Sequence, residues 1–381
     1  MSRRKKGEGS YYDRTINGIK YKQYKFPNGK TIYAKTLKEL NEKRKEYESS
    51  PESHVINAYY TFGNYCYKWL NQKDNITPKA YDDYETAIKK RVEGYSIANR
   101  PIISLTPQMF TQYFKELADK YSKATIDKTW VVLRQVLNYG MENKMIPTFP
   151  LKNIQRPKED DVKVKKKDTE FIDENDMNAV YEECQNPKYG NAANMIILIM
   201  YSGMRLSEAI NLKWKDINRD LDKISIKRSS QDIKKRDKNK RVILNEKGMA
   251  QYENIEKGTK SYAGNRVVPI PERGTVVLKK LYQIPHKNDD LVFLNANNKK
   301  YDRRTIERAL STILKNSKSI NKNYSPHALR RGYGSILLSK GVNIAVISKL
   351  LGHSNVTTTM NIYTKAFDKD VIDAVNKFNE E

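Results

Sequence analysis

The stretch from Ser325 to Tyr363 gathers two histidines, an arginine pair and, at its end, a tyrosine. It opens SPHALRRG, passes through LLGHSN at 350–355 and ends TTTMNIYTK at 357–365. Ser325 followed by Pro326 reads as a helix start, with a serine N-cap and proline at the first helical position. His327 and Arg330 then share one helical face. The apolar segment NIAVISKLLG leads to His353, and Tyr363 follows ten residues later. The chain has only four histidines, and two fall here.

A tyrosine hydroxyl ionises near ~10, so it is a weak nucleophile at neutral pH. A base or a strongly positive field can activate it. The guanidinium fork of arginine binds two phosphate oxygens and keeps its charge. Histidine moves protons or donates hydrogen bonds to the same oxygens. The set therefore suits transfer of a DNA phosphate onto tyrosine. A tyrosine among 26 is more often packed or exposed, so order and spacing must decide.

H-x-x-R, then L-G-H, then tyrosine resembles the C-terminal signature of the tyrosine recombinases, the phage-type integrases. In that family an earlier arginine lies in a motif like T-G-x-R-x-S-E, and YSGMRLSE at 201–208 supplies Arg205. The family lysine lies on a β-hairpin between the two arginine motifs, and TKSYAGNRVVPI at 259–270 supplies Lys260. One departure is Arg331, where the family commonly has a second histidine. That histidine is outside the catalytic set. The resemblance implies that Tyr363 forms a 3′-phosphotyrosyl link while Arg205 and Arg330 bind the phosphate oxygens. It further implies that Lys260 protonates the leaving 5′-oxygen, His327 assists proton transfer from the tyrosine, and His353 hydrogen-bonds the phosphate. No metal or other cofactor is expected.

The elements that must position these groups fit a multidomain α+β fold. The chain is 381 residues long, enough for two or three domains, with 71 Lys plus Arg against 45 Asp plus Glu. A net charge of +26 fits a polyanionic partner or simply a basic soluble protein. No apolar run is long enough to span a membrane, and MSRRKKGEGS lacks the apolar core of a secretory signal. Cys66 and Cys184 stand far apart, suiting neither a disulfide framework nor a zinc site. A reducing bacterial cytoplasm is expected.

Residues 1–50 read as three short strands with Asn-Gly turns at 17–18 and 28–29, then a helix at about 36–48. Their alternating lysines and tyrosines fit a DNA-facing sheet or a solvated one. Residues 55–153 read as four helices, at about 56–72, 78–92, 107–120 and 122–143. Residues 154–170 are charged and proline-broken, as in a linker. From 171 to 381 a mostly helical domain with a small antiparallel sheet is expected. Its strands would be KISIKR, KRVIL and NRVVPI, and a short strand DLVFL would lie between helices at 273–283 and 303–317. The basic excursion at 228–241 fits a mobile loop over DNA or a solvated loop. It supplies Lys234 and Lys235 as rivals to Lys260. Glu208 could orient an arginine or sit on a helix surface. The tail at 366–381 reads as a short helix that packs on its own domain or on a neighbour.

By resemblance these parts are an arm-binding domain, a core-binding domain and a catalytic domain. The implied protein is an integrase or excision recombinase of a phage or integrative mobile element. Its partners would be double-stranded DNA at core and arm sites, further copies forming a tetramer on DNA, and accessory directionality and DNA-bending proteins. Two other readings are a type IB topoisomerase-like nicking-closing enzyme and a non-catalytic DNA-binding regulator.

Overall fold

The structure is a computed structural model. It describes residues 9–16, 18–26, 30–49, 60–165, 171–258, 264–317 and 319–363. These fall into two compact units. One comprises the described residues of 1–167 together with Asp232–Glu253; the other comprises those of 168–231 and 254–381.

The first unit begins with strands β1 (Ser10–Ile16), β2 (Ile19–Lys25) and β3 (Thr31–Ala34), antiparallel in sequence order, then helix α1 (Leu37–Ser49). Gly18 adopts φ +76° in the first turn, a conformation that favours glycine. The expected turn at 28–29 lies outside the described residues. Tyr24, Phe26, Ala34 and Leu40 form a small core of their own. Helices α2 (Phe62–Asn71), α3 (Pro78–Arg91), α4 (Pro107–Lys120) and α5 (Lys123–Glu142) follow. Thr77 and Thr106 cap α3 and α4, each accepting a backbone N–H through its hydroxyl ahead of a proline at the helix start. Phe62, Trp69, Phe110, Phe114 and Leu133 fill the helical core, and each such buried side chain stabilises by roughly 2 kcal/mol. Leu151 and Val162 are buried in the same core.

Asp232–Glu253 belongs to this unit although it is inserted within the catalytic-type sequence. It is anchored by charge. Arg236 pairs with Asp82 and, at 3.0 Å, with Glu85; Lys234 meets Glu85 at 2.5 Å, and Lys240 meets Asp74 at 2.5 Å. The Arg236 guanidinium also lies 4.6 Å from the Tyr81 ring centroid. The basic excursion is thus neither a bare nor a solvated loop at these positions: its cations are spent on acids of α3 and the turn before it. Lys234 is thereby engaged on Glu85.

In the second unit, α6 (Glu174–Cys184) starts at the Asp173 cap and α7 (Gly190–Ser202) runs through the core. Seven residues of α7 from Met195 to Met200 and Ala193 are almost wholly buried, which explains its nearly unbroken apolar sequence. Around it lie α8 (Leu206–Ala209), α9 (Glu272–Tyr282), α10 (Arg303–Asn316), α11 (Pro326–Ser339) and α12 (Ile344–Leu351). A last helix covers 356–363.

The expected single sheet is two separate strand pairs among the described residues. β4 (Lys223–Ile226) pairs antiparallel with β7 (Arg266–Pro269), with Ile224 opposite Val268. β5 (Arg228–Lys234) pairs with β6 (Tyr252–Gly258). KRVIL and DLVFL make only isolated bridges, such as Arg236–Val242 and Leu294–Lys300. DLVFL also bridges across the chain, Leu291 to Lys213. The tail at 366–381 lies outside the described residues.

Candidate active site

Three sequence elements converge on the C-terminus of α12. Its last carbonyls face three guanidinium groups. Arg266 Nε donates to the Leu350 carbonyl at 2.7 Å, Arg330 donates to that of Leu351, and Arg205 Nη2 donates to that of Gly352 at 3.4 Å. A helix C-terminus carries partial negative charge and unsatisfied carbonyls, so it holds cations well. Gly352, at φ +66°, ends the helix and turns the chain toward His353.

Arg205 is placed by a similar stop. α7 ends at Gly203, which adopts φ +62°. A Cβ there would lie 2.5 Å from the Tyr333 ring, so the position needs glycine twice over. The Gly203 carbonyl accepts from Arg330 Nη1 at 2.7 Å. Arg205 then serves as N-cap of α8, and its backbone N–H donates to Glu208 Oε2 at 2.8 Å. Its Nη1 reaches Glu208 Oε1 at 2.7 Å, while its side chain stays 38% exposed. Arg205 is therefore the open arginine. Arg330 is only 2% exposed, and burial followed by the charge of Arg205 lowers it to about 9, still cationic at neutral pH.

Glu208 is buried between Arg205 and Arg266, and Arg266 Nη2 lies 2.8 Å from its Oε2. Burial works to raise its pKa, but the hydrogen bonds and charge of Arg266, with Arg205 and Arg330, hold it below the usual carboxylate value. Of the two sequence readings of Glu208, orienting an arginine is the one the geometry supports.

α11 presents His327 and Arg330 one turn apart, as expected, with Ser325 Oγ accepting from Ala328 N–H at 3.2 Å. His353 Nε2 lies 3.2 Å from Arg330 Nη2, and its Nδ1 lies 2.8 Å from Thr359 Oγ1. Arginine only donates, so Nε2 accepts and the proton sits on Nδ1. His353 is then neutral. Desolvation, then the charges of Arg330 and Arg205, lower it to about 4. Desolvation, then Arg331, Arg330 and Arg205, lower His327 to about 4 as well, although that residue keeps an exposed surface.

Tyr363 sits on the helix after His353 and is fully buried. Its hydroxyl donates to the Arg331 carbonyl at 3.1 Å, and its ring packs on Phe171 with centroids 5.7 Å apart. Burial raises its pKa to about 12 against the lowering charges of Arg330 and Arg331. So the structure brings together Arg205, His327, Arg330 and His353, and holds Tyr363 beside them in a sheltered state. Lys260 lies outside the described residues.

Two participants went unrecognised in the sequence: Arg266 and Thr359. Thr359 is one of three consecutive threonines, with nothing local to mark it. Arg266 did carry a signal. It alternates in phase with Val268 and Ile270, all three buried, so a charge falls on the core face of β7.

Residues 170–370 match the phage integrase family. The chain is 27% identical over 379 residues to a XerC-like tyrosine recombinase of Caldanaerobacter subterraneus subsp. tengcongensis, covering 93% of each. It is 25% identical over 300 residues to the tyrosine recombinase XerC of Bacillus subtilis, covering 78% of this chain and 85% of that one. Its fold matches the Tn1549 transposon integrase in complex with a circular intermediate DNA, at TM-score 0.64 and 17% identity, covering 82% of this chain and 99% of that one. It also matches a lambda integrase dimer bound to a core site, at TM-score 0.56 and 15% identity, covering 92% and 93%. The chain belongs to the phage integrase family, the tyrosine-type site-specific DNA recombinases.

Proposed function

We propose that this recombinase cuts and rejoins DNA with Tyr363 as nucleophile. Its oxygen attacks the scissile phosphorus, the bond to the 5′-oxygen breaks, and a 3′-phosphotyrosyl ester remains. Arg205 and Arg330 bind the non-bridging oxygens and stabilise the charge that builds in the transition state. His327 takes up the tyrosine proton, which its neutral form permits. His353 hydrogen-bonds the phosphate by moving its ring proton to Nε2, the nitrogen that here accepts from Arg330. Lys260 protonates the leaving 5′-hydroxyl, on the strength of its motif. Strand exchange reverses the step with a 5′-hydroxyl from the partner duplex. The phosphodiester energy is kept in the ester, so the step itself calls for no nucleotide hydrolysis.

The observation carrying this reading is the gathering of Arg205, Arg330 and His353 at one helix end, with Tyr363 on the next helix. Protease digestion of a trapped adduct, followed by mass spectrometry, tests it: the nucleotide must ride on the peptide containing Tyr363. Another tyrosine in that role would overturn the assignment.

The same reading gives residues 1–50 to arm-site DNA, 55–153 to core-site DNA, 154–170 to a linker and 171–381 to catalysis. A tetramer on two paired DNAs fits, since a lambda integrase tetramer bound to a Holliday junction shares the fold. Accessory directionality and bending proteins belong to the proposal through the arm domain alone. Among the described residues no helix is long and apolar enough to cross a membrane. A cytoplasmic, nucleoid-associated enzyme is the setting proposed.

A further inference from the structure

We propose that Arg266 is a positioning residue: it holds Glu208 so that Glu208 aims Arg205 at the phosphate without cancelling its charge. The inference rests on Arg205 being a phosphate ligand, as proposed above.

Glu208 and Arg266 are the most enclosed ion pair at the site, with side chains 2% and 3% exposed. The carboxylate is shared with care. Oε1 accepts from Arg205 Nη1 at 2.7 Å and from Arg266 Nη1 at 3.3 Å. Oε2 accepts from Arg266 Nη2 at 2.8 Å and from the Arg205 backbone N–H at 2.8 Å. Arg266 is itself fixed at both ends, by the Leu350 carbonyl at 2.7 Å and the Gly264 carbonyl at 3.3 Å. It sits on a strand and cannot drift.

The charge count shows what this arrangement does. Arg205, Glu208 and Arg266 together carry one net positive charge. Without Arg266, the buried carboxylate would keep Arg205 as its one hydrogen-bonded cation, and that pair would be neutral. A carboxylate so far from water must find a cation, so it would draw the Arg205 guanidinium inward. Arg205 is the exposed member, and a shift of about an ångström there is enough to cost roughly 10²-fold in rate. Among the described residues, the Arg266 guanidinium bonds to Glu208 and to the Leu350 and Gly264 carbonyls. It acts through Glu208.

The test compares cleavage of two duplexes that differ only at the scissile position, one with phosphate and one with a neutral methylphosphonate. The methylphosphonate removes one negative charge from the transition state, so it needs less from the arginines. Arg266→Met should lose roughly 10²-fold on phosphate but stay within a few-fold of wild type on methylphosphonate. Arg266→Lys should recover part of the phosphate rate. A smaller folded fraction lowers both rates alike, so their ratio is immune to it. Equal losses on both substrates would reduce Arg266 to a structural residue and overturn the inference. Arg205→Ala runs alongside. If it too loses both rates equally, Arg205 does not neutralise the phosphate, and the reading beneath the inference falls first.

Discussion

The hydroxyl of Tyr363 donates to the backbone carbonyl of Arg331 at 3.1 Å, on the very helix that carries Arg330. The proposed nucleophile is therefore stored against the helix that supplies its phosphate ligand. In this state it cannot attack: it is wholly buried, and its pKa is raised to about 12. On the proposed mechanism, activation frees the hydroxyl from the carbonyl and brings it to the phosphate held by Arg205 and Arg330.

The storage site depends on Gly334. A Cβ there would lie 2.7 Å from the Tyr363 Cζ and 3.2 Å from Leu351 Cδ1. Gly334→Ala should evict the ring and cost roughly 1–3 kcal/mol through overpacking. Chemical denaturation reads the stability loss. Nitration of Tyr363, mapped by mass spectrometry, should rise in the variant; unchanged protection would show that the ring finds room in place.

Arg330→Lys should fail where a lysine would be expected to substitute. The guanidinium reaches Gly203, Leu351 and His353 at once, and a single ammonium cannot span the three. Cleavage should drop by roughly 10²–10³-fold, the scale for losing a transition-state donor. Binding to a duplex site should change far less. Equal losses in filter binding and cleavage would make Arg330 an anchor only.

The two histidines give the fold an acid sensitivity. Each has a folded pKa lowered from 6.5 to about 4, through desolvation and then nearby arginines. Between those values the unfolded chain binds protons that the folded chain refuses, so stability rises with pH across this window. It should fall as pH drops from 6.5 towards 4 and level off below. Thermal unfolding followed over that range checks this. His353→Asn should flatten part of the slope.

Much of this was legible in the sequence, and the reasons are local. Thr77-Pro78, Thr106-Pro107 and Ser325-Pro326 are cap signals read within a few residues, and all three helices start there. Arg205, His327, Arg330, His353 and Tyr363 stand at motif spacings that survive any folding detail. What stayed hidden depends on distant partners. The charged run at 228–241 gives no hint that Arg236 will meet Asp82 and Glu85, some 150 residues away. The storage of Tyr363 needs Phe171 and Gly334 from two other segments. Arg266 shows itself only as a charge in phase with Val268 and Ile270, inside the segment that supplies Lys260.

The anchoring of the insert makes its own prediction. Arg236→Ala leaves Asp82 and Glu85 without their main cation, and Asp82 is 8% exposed in its side chain. Removing one partner of such a pair costs roughly 3–5 kcal/mol. Urea unfolding should show the transition of the helical unit moving to lower denaturant. Asp82→Asn with Arg236→Gln should restore part of the loss, since the uncompensated charge is then gone.

The central claim is that Tyr363 becomes joined to DNA. The most direct measurement is a denaturing gel of the protein with a nicked suicide duplex bearing candidate element-end sequence, run beside Tyr363→Phe. The account predicts a slow-migrating covalent species in wild type and none in the variant. The variant should still shift the duplex on a native gel and lose little stability, because it gives up one hydrogen bond worth about 1 kcal/mol. An adduct of equal yield from Tyr363→Phe would contradict the account.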